Sequence, residues 1–280
     1  MILTRSEAIT KPSDVEAAWS KQYDRLARIF AKALGRETQE IAEIGCGSGQ
    51  LTIRLAKQAS NLRFVLVDTF VNPRTSSYSN TRRQALVSNL KKAKLFRRVR
   101  IVTSDYMEWV KEQDHETYDA IISCEFLPEI TSGDIGAFIR ECYRVLKPTG
   151  KSVHSFLSPI PRNYAQKLLI EADSNPAWTR TPPKEWFSPK PQLVTRELRK
   201  AGFQRIRCEE LESHLVVKSS AAGSLLRSWE VRPKFYKKYR TQLNKTGLEL
   251  PDWIVISGTK QKQKQVRISE MLRQQVSSIL

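Results

Sequence analysis

Cysteine and histidine are scarce. Cys46, Cys124, Cys142 and Cys208 stand far apart with no CxxC pair, and only three histidines accompany them. That spacing speaks against a metal site or disulfide frame and for reduced thiols in a cytoplasmic chain. Long apolar runs are missing too: nothing approaches the roughly 18 residues of a membrane span. The opening MILTRSEAITKPSD lacks the apolar core of a secretory signal, so a chain without a transmembrane segment is expected. Acids are also few. Asp and Glu number 29 against 47 Lys and Arg, leaving a net charge of +18. Such a field attracts nucleic acid, anionic lipid or an acidic protein, and the alternative is a merely solvated basic surface. The sequence leaves oligomeric state open.

What is present is enough for a sizeable core. The 280 residues are 40% hydrophobic, within the range of a folded domain with attachments. Glu43-Ile44-Gly45-Cys46-Gly47-Ser48-Gly49 is the most informative stretch. An apolar strand runs into three alternating glycines, and a helical pattern marked by Leu51, Leu55 and Ala59 follows. Glycine permits close approach of a ligand to the backbone, and the helix start offers unpaired N–H groups. A P-loop would need Lys and Ser/Thr after the last glycine, but Gln50 stands there. Counting from Gly45, the third glycine falls one place early for the dinucleotide fingerprint. A nucleoside without a pyrophosphate is the remaining option, with a nicotinamide-dependent oxidoreductase as a weaker rival.

Around this stretch, strands alternate with helices. Apolar runs at 41–44, 64–67, 99–103, 118–123 and 151–157 read as strands, with helical periodicity between them. The pattern predicts an α/β fold: a doubly wound, mostly parallel sheet with helices on both faces. Val15, Trp19, Tyr23, Leu26, Phe30 and Ala33 predict an N-terminal cap helix within 1–37. Residues 69–80 read as a polar loop, and Arg82 and Arg83 as the outer face of a basic helix. The core domain is expected over 38–260, with a proline-rich segment at about 158–191 and an insertion at about 211–252 forming a substrate lid. Residues 261–280 read as a basic helical tail.

Glu43-x-Gly45-x-Gly47-x-Gly49 resembles the first motif of the class I S-adenosylmethionine-dependent methyltransferases. Several ordered features extend the resemblance over roughly 40–210 and 253–257. These are Asp68 ending the second strand, Ser104-Asp105 after the third, Tyr118-Asp119-Ala120-Ile121-Ile122 as the fourth, Arg144-Val145-Leu146-Lys147-Pro148-x-Gly150, and Ala201-Gly202-Phe203. The family implies a Rossmann-like, seven-stranded sheet whose last strand, near 253–258, is antiparallel. It also implies S-adenosyl-L-methionine as cofactor: Gly45, Gly47 and Gly49 against the methionine and ribose, Glu43 towards the ammonium, and Asp68 on the ribose hydroxyls. Asp105 would accept the adenine amino group, with Tyr106 against the ring.

For the chemistry, Glu125 is the first candidate base and Glu129 the second, since both follow the fourth strand. The expected reaction is methyl transfer to an unidentified acceptor, a small molecule or lipid. Ser123-Cys124-Glu125-Phe126 departs from the (Asn/Asp)-Pro-Pro-aromatic motif of enzymes acting on exocyclic base amines. Ile121 to Glu125 is faintly similar to the start of the double-glutamate loop of protein arginine methyltransferases. A protein (arginine or lysine) or RNA acceptor is therefore the alternative, and a non-catalytic polyanion-binding scaffold is the alternative of another class. Arg227 to Arg240 interleaves aromatics with bases, either as a nucleic-acid or lipid surface or as a lid helix with its aromatics turned inward. His115, His154 and His214 receive no role.

Overall fold

The computed structural model describes residues 8–11, 13–72, 77–78, 80–178 and 188–262. Seven strands form the central sheet: β1 (Glu40–Ile44), β2 (Arg63–Asp68), β3 (Val99–Thr103), β4 (Tyr118–Cys124), β5 (Leu146–Leu157), β6 (Gln204–Leu211) and β7 (Trp253–Thr259). Their spatial order is β3-β2-β1-β4-β5-β7-β6. The first five run parallel, while β7 is antiparallel to both β5 and β6. This is the doubly wound α/β sheet expected, including the reversed last strand. The chain order switches direction at β1, where β2 lies on one side and β4 on the other, and open sheets bind ligands beside such a switch.

Helices cover both faces. α1 (Ser13–Leu34), α2 (Gln50–Gln58) and α3 (Asn80–Lys92) lie on one side, where Phe30, Leu55 and Leu90 are fully buried. On the other side, α4 (Tyr106–Glu112), α5 (Asp134–Val145) and α7 (Pro191–Ala201) bury Val110, Phe138 and Leu198. The central strands are therefore apolar on both faces, which is why β4 reads as a continuous run. At the far edge, β6 carries Arg205, Arg207 and Glu209, charges that discourage further strand pairing. No helix among the described residues is long and apolar enough to cross a membrane.

Several local expectations change. β5 begins at Leu146, five residues before the strand read from the sequence, and 147–150 form an excursion within it. The 69–80 segment contains a short antiparallel pair, Val71–Asn72 with Ser77–Tyr78. The proline-rich 158–191 contains α6 (Tyr164–Ser174), started by Asn163, whose side chain accepts the Gln166 N–H at 3.0 Å. Trp186, Phe187 and the apolar stripe of the tail beyond 262 lie outside the described residues.

The cap and the insertion are one structure. Ala8–Ile9 pairs parallel with Val216–Val217, which pairs antiparallel with Leu248–Glu249. From α1, Gln22 Nε2 donates to the Ser213 carbonyl at 2.6 Å, and Arg25 Nη1 to that of Glu212 at 2.7 Å. Within the insertion lie α8 (Ser219–Ser228) and α9 (Pro233–Thr246). Phe235 of α9 is fully buried and stacks edge-on to Trp178, whose ring also lies under Lys234 and Lys238. Tyr239 turns inward as well, donating to Glu171 at 2.7 Å. Phe235 of α9 thus belongs to the protein interior and Tyr239 is half-buried against Glu171, while Lys234 and Lys238 take part in cation–π contacts.

Candidate active site

The carboxyl ends of β1, β2 and β4 open into a cavity of about 200 Å³, with the turn after β1 as its floor. In that turn Gly45 and Gly47 adopt φ of 70° and 51°. The two serve different purposes. A Cβ on Gly45 would stand 2.8 Å from Phe126 Cδ2, so this glycine is needed for packing as well as for its backbone angle. At Gly47 the nearest atom is Arg82 Nη2 at 4.0 Å, so this glycine faces open space. Gly49 begins α2 beside Leu86 and, unlike the other two, is not in the cavity wall.

Asp68 fixes the turn. Its Oδ2 accepts the Gly47 N–H at 2.8 Å and its Oδ1 accepts the Phe70 N–H at 2.6 Å. Each oxygen keeps a further lone pair for a hydroxyl donor. Glu43 lies deeper, 2% exposed, and accepts a hydrogen bond from Thr52 Oγ1. Burial raises its carboxyl to about 8; the Thr52 hydroxyl opposes that rise and the charge of Asp68 adds to it. A ligand cation beside Glu43 would therefore meet a carboxyl that gains most from being paired.

Beyond β4, Glu125 adopts φ 57°. The unusual backbone turns its carboxyl back towards β5, where Oε1 accepts the Leu157 N–H at 2.7 Å. Burial lifts its carboxyl to about 8, against the Leu157 bond and with help from Asp173 and Glu129. Glu129 lines the same cavity with one side open to water. Its dense surroundings push it up towards about 7, with Arg82 opposing and Asp68 adding, a rise that its solvent access limits. Both candidate bases are thus brought to one place.

Two predicted residues are placed differently. Asp105 is the N-cap of α4, with Oδ1 accepting from the Met107 and Glu108 N–H groups at 2.8 and 3.2 Å. Tyr106 packs edge-on to Phe126 and Phe138 at 5.0 and 5.5 Å between centroids. Neither lines the cavity; they stand beside it, because β3 is paired with β2 and the Ser104 N–H donates to the Asp68 carbonyl at 3.3 Å.

The fold adds two residues that sequence reasoning missed. Tyr23 of the cap helix enters the wall between Glu43 and Glu125, and burial raises its phenol well above the ordinary value. Only its hydroxyl, on an otherwise apolar stripe, hinted at this. Arg82, read as an outward base, instead lines the cavity and donates from Nη1 to the Val71 carbonyl at 2.9 Å. Nothing in the sequence separates it from Arg83. His154 is held between Ser123 Oγ at 2.8 Å and Ser152 Oγ at 2.7 Å, and burial lowers it to about 4, so it is neutral and structural. Among the described residues no group of His, Cys, Asp and Glu is placed to hold a metal ion.

A second cavity, of about 290 Å³, adjoins the first and shares Glu125 with it. Leu157, Pro159, Leu169 and Trp229 make much of its wall, contributed by β5, the segment after it, α6 and the insertion.

Residues 41–150 match the family described as "Methyltransferase domain". A curated relative, the ubiquinone biosynthesis O-methyltransferase of Aliivibrio fischeri (strain MJ11), is 30% identical over 145 residues, covering 52% of this chain and 54% of that protein. The chain spans about half the length of the curated relatives it matches. Among solved structures, a SAM-dependent methyltransferase from Archaeoglobus fulgidus aligns with a TM-score of 0.54 at 16% identity, covering 86% of this chain and 94% of that one. The Haemonchus contortus phospholethanolamine N-methyltransferase 2, in complex with phosphomonomethylethanolamine and S-adenosylhomocysteine, aligns with a TM-score of 0.57 at 15% identity, covering 87% and 57%. At these identities the structures establish the fold.

Proposed function

Because the chain carries, over 41–150, a methyltransferase domain on the class I fold of S-adenosylmethionine-dependent enzymes, we propose that it transfers a methyl group from S-adenosyl-L-methionine to a small-molecule acceptor. The observation that carries this reading is the pair of cavities meeting at Glu125, one polar and one largely apolar. The first cavity offers what an amino-acid nucleoside needs. Glu43 suits an ammonium, Asp68 has lone pairs for two hydroxyls, and Gly47 leaves room against the backbone. Gly49, Asp105 and Tyr106 would support the same ligand from outside the wall: Gly49 sets the start of α2, and the other two, beside the cavity, would flank the adenine.

When bound, S-adenosylmethionine supplies a methyl group already activated on a sulfonium. The protein then needs mainly to align the nucleophile, and a base only where the nucleophile must lose a proton. Glu125 is suited to be that base, since it lines both cavities and a carboxyl near 8 accepts a proton more readily than an ordinary one. Glu129 and Arg82 flank the mouth. Tyr23 closes the side towards the cap helix and limits water at the reacting end. The small-molecule reading is favoured by the largely apolar second cavity beside the first, and the curated O-methyltransferase relatives point the same way.

Isothermal titration of S-adenosylmethionine and S-adenosylhomocysteine into the full chain tests the donor half. Micromolar binding that is lost in Asp68→Ala is expected. Absence of heat, or equal binding by the variant, would overturn the reading.

A further inference from the structure

Residues 69–104 hold nine lysines and arginines and no acid, half of the chain's net charge of +18. Four of these cations, Lys91, Lys92, Lys94 and Arg97, are exposed along the end of α3 and the short 3₁₀ turn, Phe96–Arg98, that leads into β3. Lysines at a helix carboxyl end offset its dipole, which accounts for Lys91 and Lys92. It does not account for Phe96, whose ring stands beside them 50% exposed, with Lys91 Nζ 6.0 Å from its centroid.

The turn that presents this ring is fastened from below. The Leu95 N–H donates to the Leu90 carbonyl at 2.9 Å, and the Leu95 side chain is buried. Arg98 donates from Nε to the Leu62 carbonyl and from Nη2 to that of Ala59, both at 2.8 Å, which ties the turn to the segment after α2. Leu95 and Arg98 are thus committed inward, while Phe96 and Arg97 are left on the surface. At the same end of the sheet, Glu40 and Asp119 are engaged by Arg63 at 3.4 Å and Lys147 at 2.9 Å.

We propose that this patch docks the protein on an anionic lipid bilayer, with the Phe96 ring at the level of the headgroups and Lys91, Lys92, Lys94 and Arg97 among the phosphates.

The chemistry of the patch favours a bilayer over nucleic acid. Single strands are held by successive rings on which bases stack. Here one ring is exposed, and Lys91 stands over its face. A ring that enters edge-first among headgroups needs no free face, and the flanking cations meet a continuous layer of negative charge. The patch lies at the amino end of the edge strand β3, whereas the cavity lined by Glu43 and Asp68 opens at the carboxyl ends of the strands. Docking therefore tethers the protein without covering that cavity.

The test is co-sedimentation of the full chain with vesicles of phosphatidylcholine alone and of phosphatidylcholine containing phosphatidylglycerol, at about 0.1 M and 0.5 M salt. Binding to the anionic vesicles alone, weakened by salt, is expected. Phe96→Ser should lower the partition coefficient about tenfold, and Lys94→Gln and Arg97→Gln about fivefold each. All three variants should melt with the parent, since the side chains are exposed. No binding, equal binding to neutral vesicles, or anionic-vesicle binding indifferent to Phe96→Ser would overturn the proposal. So would salt-dependent binding of a single-stranded RNA that Phe96→Ser weakens while the vesicles stay unbound, a result that assigns the patch to nucleic acid.

Discussion

Glu125, one residue past β4, accepts the backbone N–H of Leu157 at 2.7 Å. That bond, beside the one the Glu125 N–H donates to the Ser155 carbonyl at 2.9 Å, holds a carboxyl at the ends of two neighbouring strands where the two cavities meet. Glu125→Gln preserves an oxygen for Leu157 and removes the charge. The variant is expected to fold and to bind S-adenosylhomocysteine within about twofold of the parent, while turnover falls on the order of 10²- to 10⁴-fold. Turnover that stays within about threefold in a single-turnover assay would remove Glu125 from the chemistry.

The pH profile follows from the same carboxyl. A base works only when ionised, and Glu125 is raised to about 8 by burial. Turnover should therefore climb with pH through a limb centred near 8, and that limb should vanish from the residual activity of Glu125→Gln. A profile already flat from about pH 6 upward would contradict the assignment.

Glu43 makes an opposite-looking prediction for stability. Its folded value is about 8 and its unfolded value about 4.5, so between them the folded state holds more protons. Stability of the ligand-free protein from this group is present below about 4.5 and declines as pH rises towards 8. Glu43→Gln should lose that decline and melt higher than the parent at about pH 8, yet bind S-adenosylmethionine more weakly. Thermal unfolding at about pH 5 and pH 8, with and without ligand, reads both effects. An identical pH slope in parent and variant would refute the assignment.

The two turn glycines separate packing from ligand approach. Gly45→Ala forces a Cβ against Phe126 at 2.8 Å, in addition to the positive φ, and should cost roughly 2–4 kcal/mol of stability. Gly47→Ala bears the backbone strain alone, about 1–2 kcal/mol, and should instead weaken donor binding. Denaturant melts and calorimetry on the two variants test the division; equal destabilisation would show that Phe126 moves aside.

Asp68→Asn keeps only one of the two oxygen acceptors, so one of the bonds to Gly47 and Phe70 is lost, together with half of the acceptor capacity proposed for the ribose hydroxyls. Affinity for S-adenosylhomocysteine should fall about ten- to a hundredfold by calorimetry. An unchanged affinity would place the ribose elsewhere.

The residues proposed for the donor side of the site were legible because they cluster in sequence and punctuate strands. Glu43, Gly45 and Gly47 fall within one short stretch, and Asp68 closes the next apolar run. Asp105 was legible as a strand-end acid, but its capping of α4 depends on the path the chain takes after β3. Tyr23 and Arg82 were not legible as wall residues. A helix places side chains on faces, and only docking decides which face meets a cavity built by distant parts of the chain. The aromatics of α9 were ambiguous for the same reason until Trp178 and Glu171 supplied their partners.

The amino-acid sequence by itself determined the alternation of strands and helices, the glycine turn and the acids at strand ends, since all are local consequences of periodicity and backbone freedom. The tertiary structure decided which surfaces face the second cavity. It brought α6, the insertion and the end of β5 together around Glu125, joined the N-terminal segment to residues 216–217, and set Asp173 within electrostatic reach of a carboxyl far earlier in the chain. Those contacts are long-range, and no local pattern encodes them.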